Sequence, residues 1–421
     1  MEFWRIEGGR PISGEIETHG AKNAVLPILA AALLTDRTVL TRCPSLTDVD
    51  AAAKILRALG CAVSQRGDTL TVEAAGEPAC ESLPEEPARE MRSSILFLGA
   101  MLARCGRARL PFPGGCELGP RPIDLHLCAL RRLGAVIREE GGFLDCHVPG
   151  RLRGAPVALP FPSVGATENL LLAAATAEGE TLITNAAREP EVTALADFLN
   201  RCGADITCGG ERIRVRGVRE LHGCAFPIPP DRIEAATYLC AAAATGGEIA
   251  VRNVCPAHLA AVLPVLEEAG CRITTAKDMI ALLAPRRLSG VRCVRTMPYP
   301  GFPTDAQAPL MAALCTAKGS SLFIETIFSS RYRHAGELAR MGAEISIEGR
   351  TALVRGVVQL HGASVSCTDL RGGAALVIAG LAAEGETRIF ETHHIERGYC
   401  DFVPRLAALG AKIRREGQKL V

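Results

Sequence analysis

Residues 110–126 read LPFPGGCELGPRPIDLH, which sets Cys116 directly after a glycine pair and five positions before Arg121. Pro111, Pro113, Pro120 and Pro122 keep the stretch out of regular helix or strand, and Gly114 and Gly115 allow a close backbone approach. A thiol beside a guanidinium is biased toward thiolate, the form that attacks electrophiles or exchanges protons. The alternative is an inert apolar cysteine, one of 17 in the chain.

Other chemistry-bearing residues recur at the openings of Ala-rich helices. The spacing predicts such openings at Lys22, Arg92, Ser163, Arg232, Asp305 and Arg371, as in KNAVLPILAAALLT, RIEAATYLCAAAAT and RGGAALVIAGLAAE. A cation at a helix N-terminus opposes the dipole, so Lys22, Arg92, Arg232 and Arg371 invite explanation. They could reach solvent or pair with acids such as Asp231 and Asp369. If the helices of each domain point the same way, they could instead gather around an anionic ligand between domains. Asp305 is the one acid of the set. It could be a general base or simply a charge that suits the dipole.

Elements able to position these residues follow from an internal repeat. A helix-to-strand joint recurs as LRALGCAV, LRRLGAVI, LNRCGADI, LEEAGCRI, LARMGAEI and LAALGAKI. Its glycines, Gly60, Gly134, Gly203, Gly270, Gly342 and Gly410, suit left-handed caps. The Ala-rich helices are apolar nearly all round, the mark of buried elements. A third feature, an L-x-G step read as a hairpin, occurs in GRLRGAPVAL, RELHGCAFPI, RRLSGVRCVR and VQLHGASVSC, and GRPISGEIETHG fits it at the N-terminus. The signal is weak between 70 and 88. Six units of roughly 70 residues exceed ordinary solenoid repeats. The expected architecture is α/β: two inside-out α/β barrels of three repeats each, with helices inside and sheets outside. One domain spans 22–229. The other joins 1–21 to 230–421, the N-terminal hairpin completing it.

Composition excludes several classes. Hydrophobic residues make up 48% and charged residues 22%, a globular balance. A net charge of +1 offers no polybasic field for nucleic acid or anionic membrane. The longest apolar run, AVLPILAAALL, falls short of the ~18–20 residues of a membrane span, and MEFWRIEGGR has no secretory character, so a cytoplasmic protein is expected. The cysteines form no CxxC, which argues against zinc and against a disulfide framework. Neither a P-loop nor GxGxxG is present.

With the repeats and the cysteine loop in view, the whole chain resembles the enolpyruvyl transferases, and among them those that use UDP-N-acetylglucosamine. The likeness is carried by GAKNAVLP (20–27), MRSSI (91–95), PGGCELGPRPIDLH (113–126), SVGATEN (163–169), NAAREPE (185–191), PDRIE (230–234), GFPTDAQA (301–308), RYRHAGELARMGA (331–343), TDLRGGAAL (368–376) and HIERGY (394–399). It implies transfer of the enolpyruvyl group of phosphoenolpyruvate to the sugar 3-hydroxyl with release of phosphate, the first committed step of peptidoglycan synthesis. It implies no metal and no organic cofactor, and no obligate protein partner is evident from the sequence.

The resemblance also carries roles. Lys22, Arg121 and Arg397 map onto ligands of phosphoenolpyruvate, Arg331 and Arg371 join that cationic wall, and Arg92 maps to the diphosphate. Asn23 would hydrogen-bond the sugar or the intermediate. Cys116 would protonate the methylene carbon and can form a covalent adduct with phosphoenolpyruvate, and Asp305 would take the hydroxyl proton. Arg121, Pro122, Ile123, Asp124 and Leu125, with Ser163, Val164 and Gly165, fall on uridine diphosphate segments, and Ile327 on a further nucleotide contact. Departures from the pattern are Phe161 and Pro162 in place of a lysine, Pro309 for Gln, Ser329 and Ser330 for a more polar pair, and Glu396 for Asp. Rival readings are the sister transferase acting on shikimate 3-phosphate, a non-catalytic paralogue, and a repeat-built ring that encircles DNA.

Overall fold

The computed structural model describes residues 2–74, 76, 81–113 and 123–417. Their backbone divides into two units, 2–19 with 230–417 and 20–113 with 123–229.

In the first unit the helices Arg232–Thr245, Thr304–Leu314 and Leu370–Ala382 pack against one another. Alanine dominates them, so their backbones approach closely, and almost every side chain is buried. Three four-stranded sheets belong to this unit. Their strands alternate buried and exposed positions, as in Thr351–Arg355 and Met279–Leu283, so one face of each sheet meets the core. In the second unit Lys22–Ala32, Leu96–Cys105 and Val164–Ala174 are the corresponding apolar helices, with two four-stranded sheets and one three-stranded sheet. The helices open within a residue of the expected positions, except that Arg92 begins the 3-10 turn Arg92–Ile95 ahead of Leu96.

All six joint glycines lie in the left-handed region, with φ of 94° at Gly60, 96° at Gly134, 99° at Gly203, 101° at Gly270, 92° at Gly342 and 89° at Gly410. A side chain there would strain the turn from helix into strand.

The L-x-G steps are not hairpins. Each feeds a short edge strand that pairs in parallel with the sheet of another repeat. Pro156–Ala158 joins Glu180–Thr184, Ala225–Pro227 joins Arg37–Thr41, Cys293–Arg295 joins Ser320–Ile324, and Ser364–Ser366 joins Glu386–Phe390. The glycine is needed because the incoming chain lies on its neighbour's backbone. A Cβ at Gly223 would sit 1.8 Å from the Arg37 carbonyl oxygen, and one at Gly362 would sit 2.3 Å from that of Glu386.

The N-terminal segment is likewise no hairpin. Glu2–Glu7 lies between Glu386–Phe390 and Lys412–Gly417, the place a hairpin strand takes in the other sheets. Ser13–Glu17 then passes to the next sheet and pairs in parallel with Glu248–Arg252. Edge donation therefore runs in a cycle within each unit. Its thinnest link is 81–83, where the weak signal corresponds to one parallel bridge, Ser82 to Arg109.

Because Ala225–Pro227 completes the cycle of the second unit, Gly223→Ala tests it. The clash with the Arg37 carbonyl should cost about 3 kcal/mol of unfolding free energy, as severe overpacking does, measured by urea titration. A change within about 0.5 kcal/mol, the range of ordinary surface substitutions, would show that the approach is not needed.

Candidate active site

In the first unit the helix Thr304–Leu314 opens on a carboxylate between two arginines. Asp305 Oδ1 accepts from Arg331 Nη2 at 3.1 Å, and Oδ2 accepts from Arg371 Nη2 at 3.2 Å. Arg331 also donates to the Thr304 carbonyl at 3.0 Å. The arginine side chains are 2% and 3% exposed, that of Asp305 27%. Each guanidinium keeps further donors buried without an acceptor: Nε of Arg331, and Nε and Nη1 of Arg371. Donors of that kind suit an anion.

Three acids hold this arrangement in place. Asp369 caps the helix Leu370–Ala382, its Oδ1 accepting from Arg371 N–H at 3.1 Å and Gly372 N–H at 3.0 Å. The cap offsets the dipole that Arg371, two residues on, opposes. Asp231 caps the helix Arg232–Thr245 in the same way, accepting from Ile233 and Glu234. Buried Glu325 accepts from the N–H groups of Ile327 and Phe328 at 2.8 and 3.0 Å and from Thr304 Oγ1 at 3.0 Å. It thus ties the Ile327 turn to the helix that carries Asp305.

Arg397 ends the short helix His393–Glu396. Two residues on, Tyr399 lies under the Arg371 guanidinium at 5.3 Å and shares a 2.8 Å hydrogen bond with Thr237. Glu396 pairs with Arg415 at 3.0 Å. Pro309, inside its helix, has no N–H to donate to the Asp305 carbonyl. Ser329 is exposed and Ser330 half-buried.

The second unit holds the other candidates. Lys22 is the first residue of its helix and is buried, and its Nζ lies 2.8 Å from Asp48 Oδ2. Asn23 follows, half-buried. Asp48 comes from the next helix, Thr47–Ala58. Arg92 Nη1 donates to the Pro113 carbonyl at 3.1 Å and so ties down the start of the cysteine segment. Cys116, Arg121 and Pro122 lie outside the described residues. Phe161 is exposed and Pro162 half-buried where a lysine was expected.

Ile123 directly precedes the helix Asp124–Arg132, with Leu125 half-buried and Asp124 exposed. Ser163 caps Val164–Ala174 through its Oγ. These segments meet at His126, which the sequence reading did not single out. A Cβ on Gly165 would stand 2.9 Å from its Cε1. Asn169 fixes the ring's tautomer. Its Oδ1 accepts from Gly99 N–H at 2.8 Å and its Nδ2 donates to the Ile95 carbonyl at 3.0 Å, so His126 Nδ1, 3.1 Å from Nδ2, must accept. The ring proton is then on Nε2. Burial, aided by the Arg92 charge, lowers the His126 pKa to about 3.

Comparison with known proteins now bears on these groups. A family model described as EPSP synthase (3-phosphoshikimate 1-carboxyvinyltransferase) matches residues 6–406. The chain belongs to this family. A Caldanaerobacter subterraneus relative named UDP-N-acetylglucosamine 1-carboxyvinyltransferase 2 is 47% identical, covering 99% of this chain and 100% of its own. One of the same name from Carboxydothermus hydrogenoformans is 49% identical over 99% of each chain. Among solved structures, the enolpyruvyl transferase NikO from Streptomyces tendae aligns with a TM-score of 0.89 at 27% identity over 98% of both chains. EPSP synthase from Acinetobacter baumannii shares the fold, with a TM-score of 0.75 at 21% identity over 99% of this chain and 100% of its own. This enolpyruvyl transferase therefore has a mixed α/β fold already seen in its family.

His126 yields a pH prediction. Its folded pKa lies below the unfolded value of 6.5, so the stabilisation it gives is present above pH 6.5 and is lost as pH falls toward 3. Thermodynamic stability should drop by up to ~1.4 kcal/mol per pH unit in that window, and His126→Gln should flatten this slope in urea melts. An unchanged slope would mean that the ring titrates normally.

Proposed function

We propose that this chain transfers the enolpyruvyl group of phosphoenolpyruvate to the 3-hydroxyl of UDP-N-acetylglucosamine and releases phosphate, the entry step of peptidoglycan synthesis. The observation that carries the reading is full-length identity of 47–49% to relatives named for that activity. The charge pattern suits it. Phosphoenolpyruvate carries a phosphate and a carboxylate, and the Asp305 cluster presents unused guanidinium donors.

In this reading Lys22, Arg121 and Arg397 take the phosphate and carboxylate, and Arg331 and Arg371 add to the cationic groups that bind them. Cys116 gives a proton to the methylene carbon and can itself add to phosphoenolpyruvate. The 3-hydroxyl attacks the cation so formed, and Asp305 accepts its proton. Phosphate leaves from the tetrahedral ketal with the proton held on Asp305, and the methyl carbon returns a proton to Cys116 as the enol ether forms. Arg92, with 121–125, 163–165, Asn23 and Ile327, binds the sugar nucleotide.

The reading extends to architecture. Each unit is taken as an inside-out α/β barrel of three repeats, supported by the cyclic edge donation and the buried helix trios. A cytoplasmic site of action, where these substrates are made, goes with it. No helix among the described residues is long and apolar enough to cross a membrane.

Offering phosphoenolpyruvate with either acceptor tests the function. Phosphate release should require UDP-N-acetylglucosamine, and release with shikimate 3-phosphate alone would overturn the assignment. In the same preparation Arg397→Ala should weaken phosphoenolpyruvate binding at least tenfold, about 1.4 kcal/mol, and nucleotide binding far less, by calorimetry. Equal losses would remove Arg397 from its role.

A further inference from the structure

Sequence spacing makes Cys202 and Cys208 the nearest cysteine pair, but the fold pairs Cys202 with another thiol. Its Sγ lies 3.4 Å from that of Cys224. Cys202 follows the helix Pro190–Arg201 and is fully buried, and its carbonyl accepts from His222 N–H at 2.9 Å. Cys224 is half-buried and directly precedes the edge strand Ala225–Pro227. Its carbonyl accepts from Val39 N–H at 2.9 Å. The two sulfurs thus stand where the last repeat of this unit hands its edge strand to the first.

We propose that Cys202 and Cys224 form a reversible dithiol–disulfide pair, oxidised by a hydroperoxide, that locks the edge strand closing the unit 20–229. The thiols are already in van der Waals contact, and backbone hydrogen bonds place both ends, so closing the bond needs little rearrangement. Their exposures set an order. The accessible Cys224 reacts first and the buried Cys202 resolves, since burial and the neighbouring Cys224 raise the Cys202 pKa and disfavour its free thiolate.

The chemistry balances with hydrogen peroxide. Cys224 Sγ attacks one peroxide oxygen, the O–O bond breaks, and the departing hydroxide takes the thiol proton as water. Cys202 Sγ then attacks the Cys224 sulfur of the sulfenic acid, and the S–O bond breaks. That hydroxide leaves with the Cys202 proton as a second water. Two thiols lose two electrons and two protons, and peroxide is reduced to two waters. The new bond closes the loop 202–224 and ties the start of the three-residue strand Ala225–Pro227 to the end of the helix Pro190–Arg201.

The test treats the full chain with hydrogen peroxide, blocks free thiols under denaturing conditions and maps unreduced peptides by mass spectrometry. Melting temperature is followed alongside. A Cys202–Cys224 linked peptide should appear and vanish with dithiothreitol, and the oxidised chain should melt several degrees higher. Cys224→Ala should keep the reduced protein's melting temperature and enolpyruvyl transfer but lose the peroxide-dependent rise. Cys202→Ser, at a fully buried position, gives the same readout where it folds. Both thiols remaining alkylatable after peroxide would overturn the proposal. So would Cys224 passing to sulfinic acid without a cross-link, or linkage of either thiol to Cys208 instead.

Discussion

One carboxylate serves two buried guanidinium groups at the opening of Thr304–Leu314, and the arrangement of the 230–417 unit depends on that sharing. Arg331 and Arg371 are withdrawn from water almost completely. Two unpaired charges there would be prohibitive, because desolvating each costs several kcal/mol. Asp305, partly open to solvent, pairs with both and leaves other donors of each unused. Positive charge is thereby held in a desolvated place without collapsing onto its counter-ion. In the other unit Lys22, also at a helix opening, pairs with the Asp48 carboxylate, its Nζ 2.8 Å from Oδ2.

Such sharing needs helix ends that do not drift. Small residues let the helices pack backbone to backbone, and each sheet's edge comes from another repeat, so no repeat can shift alone. N-cap aspartates Asp231 and Asp369 take the first helical N–H groups, so the cations that follow face a satisfied terminus. Strain from the openings at Arg232 and Arg371 is thus met locally, by an acid one or two residues earlier.

Much of this was legible in the sequence, for physical reasons. The joint glycines repeat because only glycine takes the left-handed cap at low cost, and the inner helices announce themselves by being apolar all round. The L-x-G steps were misread as hairpins because a strand's partner is not written next to it. Val294 pairs with Phe323 across a whole helix, and nothing in RRLSGVRCVR distinguishes that from a local turn. The family's candidate residues were found through motifs, and Asp231 and Asp369 were named as acids for them, but the other residues that hold them were not. Asp48 had a faint signal, an acid in the first turn of an amphipathic helix. His126, Asn169 and Glu325 had none beyond lying in quoted or neighbouring stretches, since their partners come from far along the chain. The Cys202–Cys224 contact was equally hidden.

The most direct test is a double-mutant cycle on Asp305 and Arg371, read by urea unfolding of Asp305→Asn, Arg371→Met and the pair. If the carboxylate compensates the buried guanidinium, the two losses should be non-additive by about 1 kcal/mol or more. Additivity within about 0.3 kcal/mol would mean that the two groups are near each other without depending on each other, and the account of the site would fail.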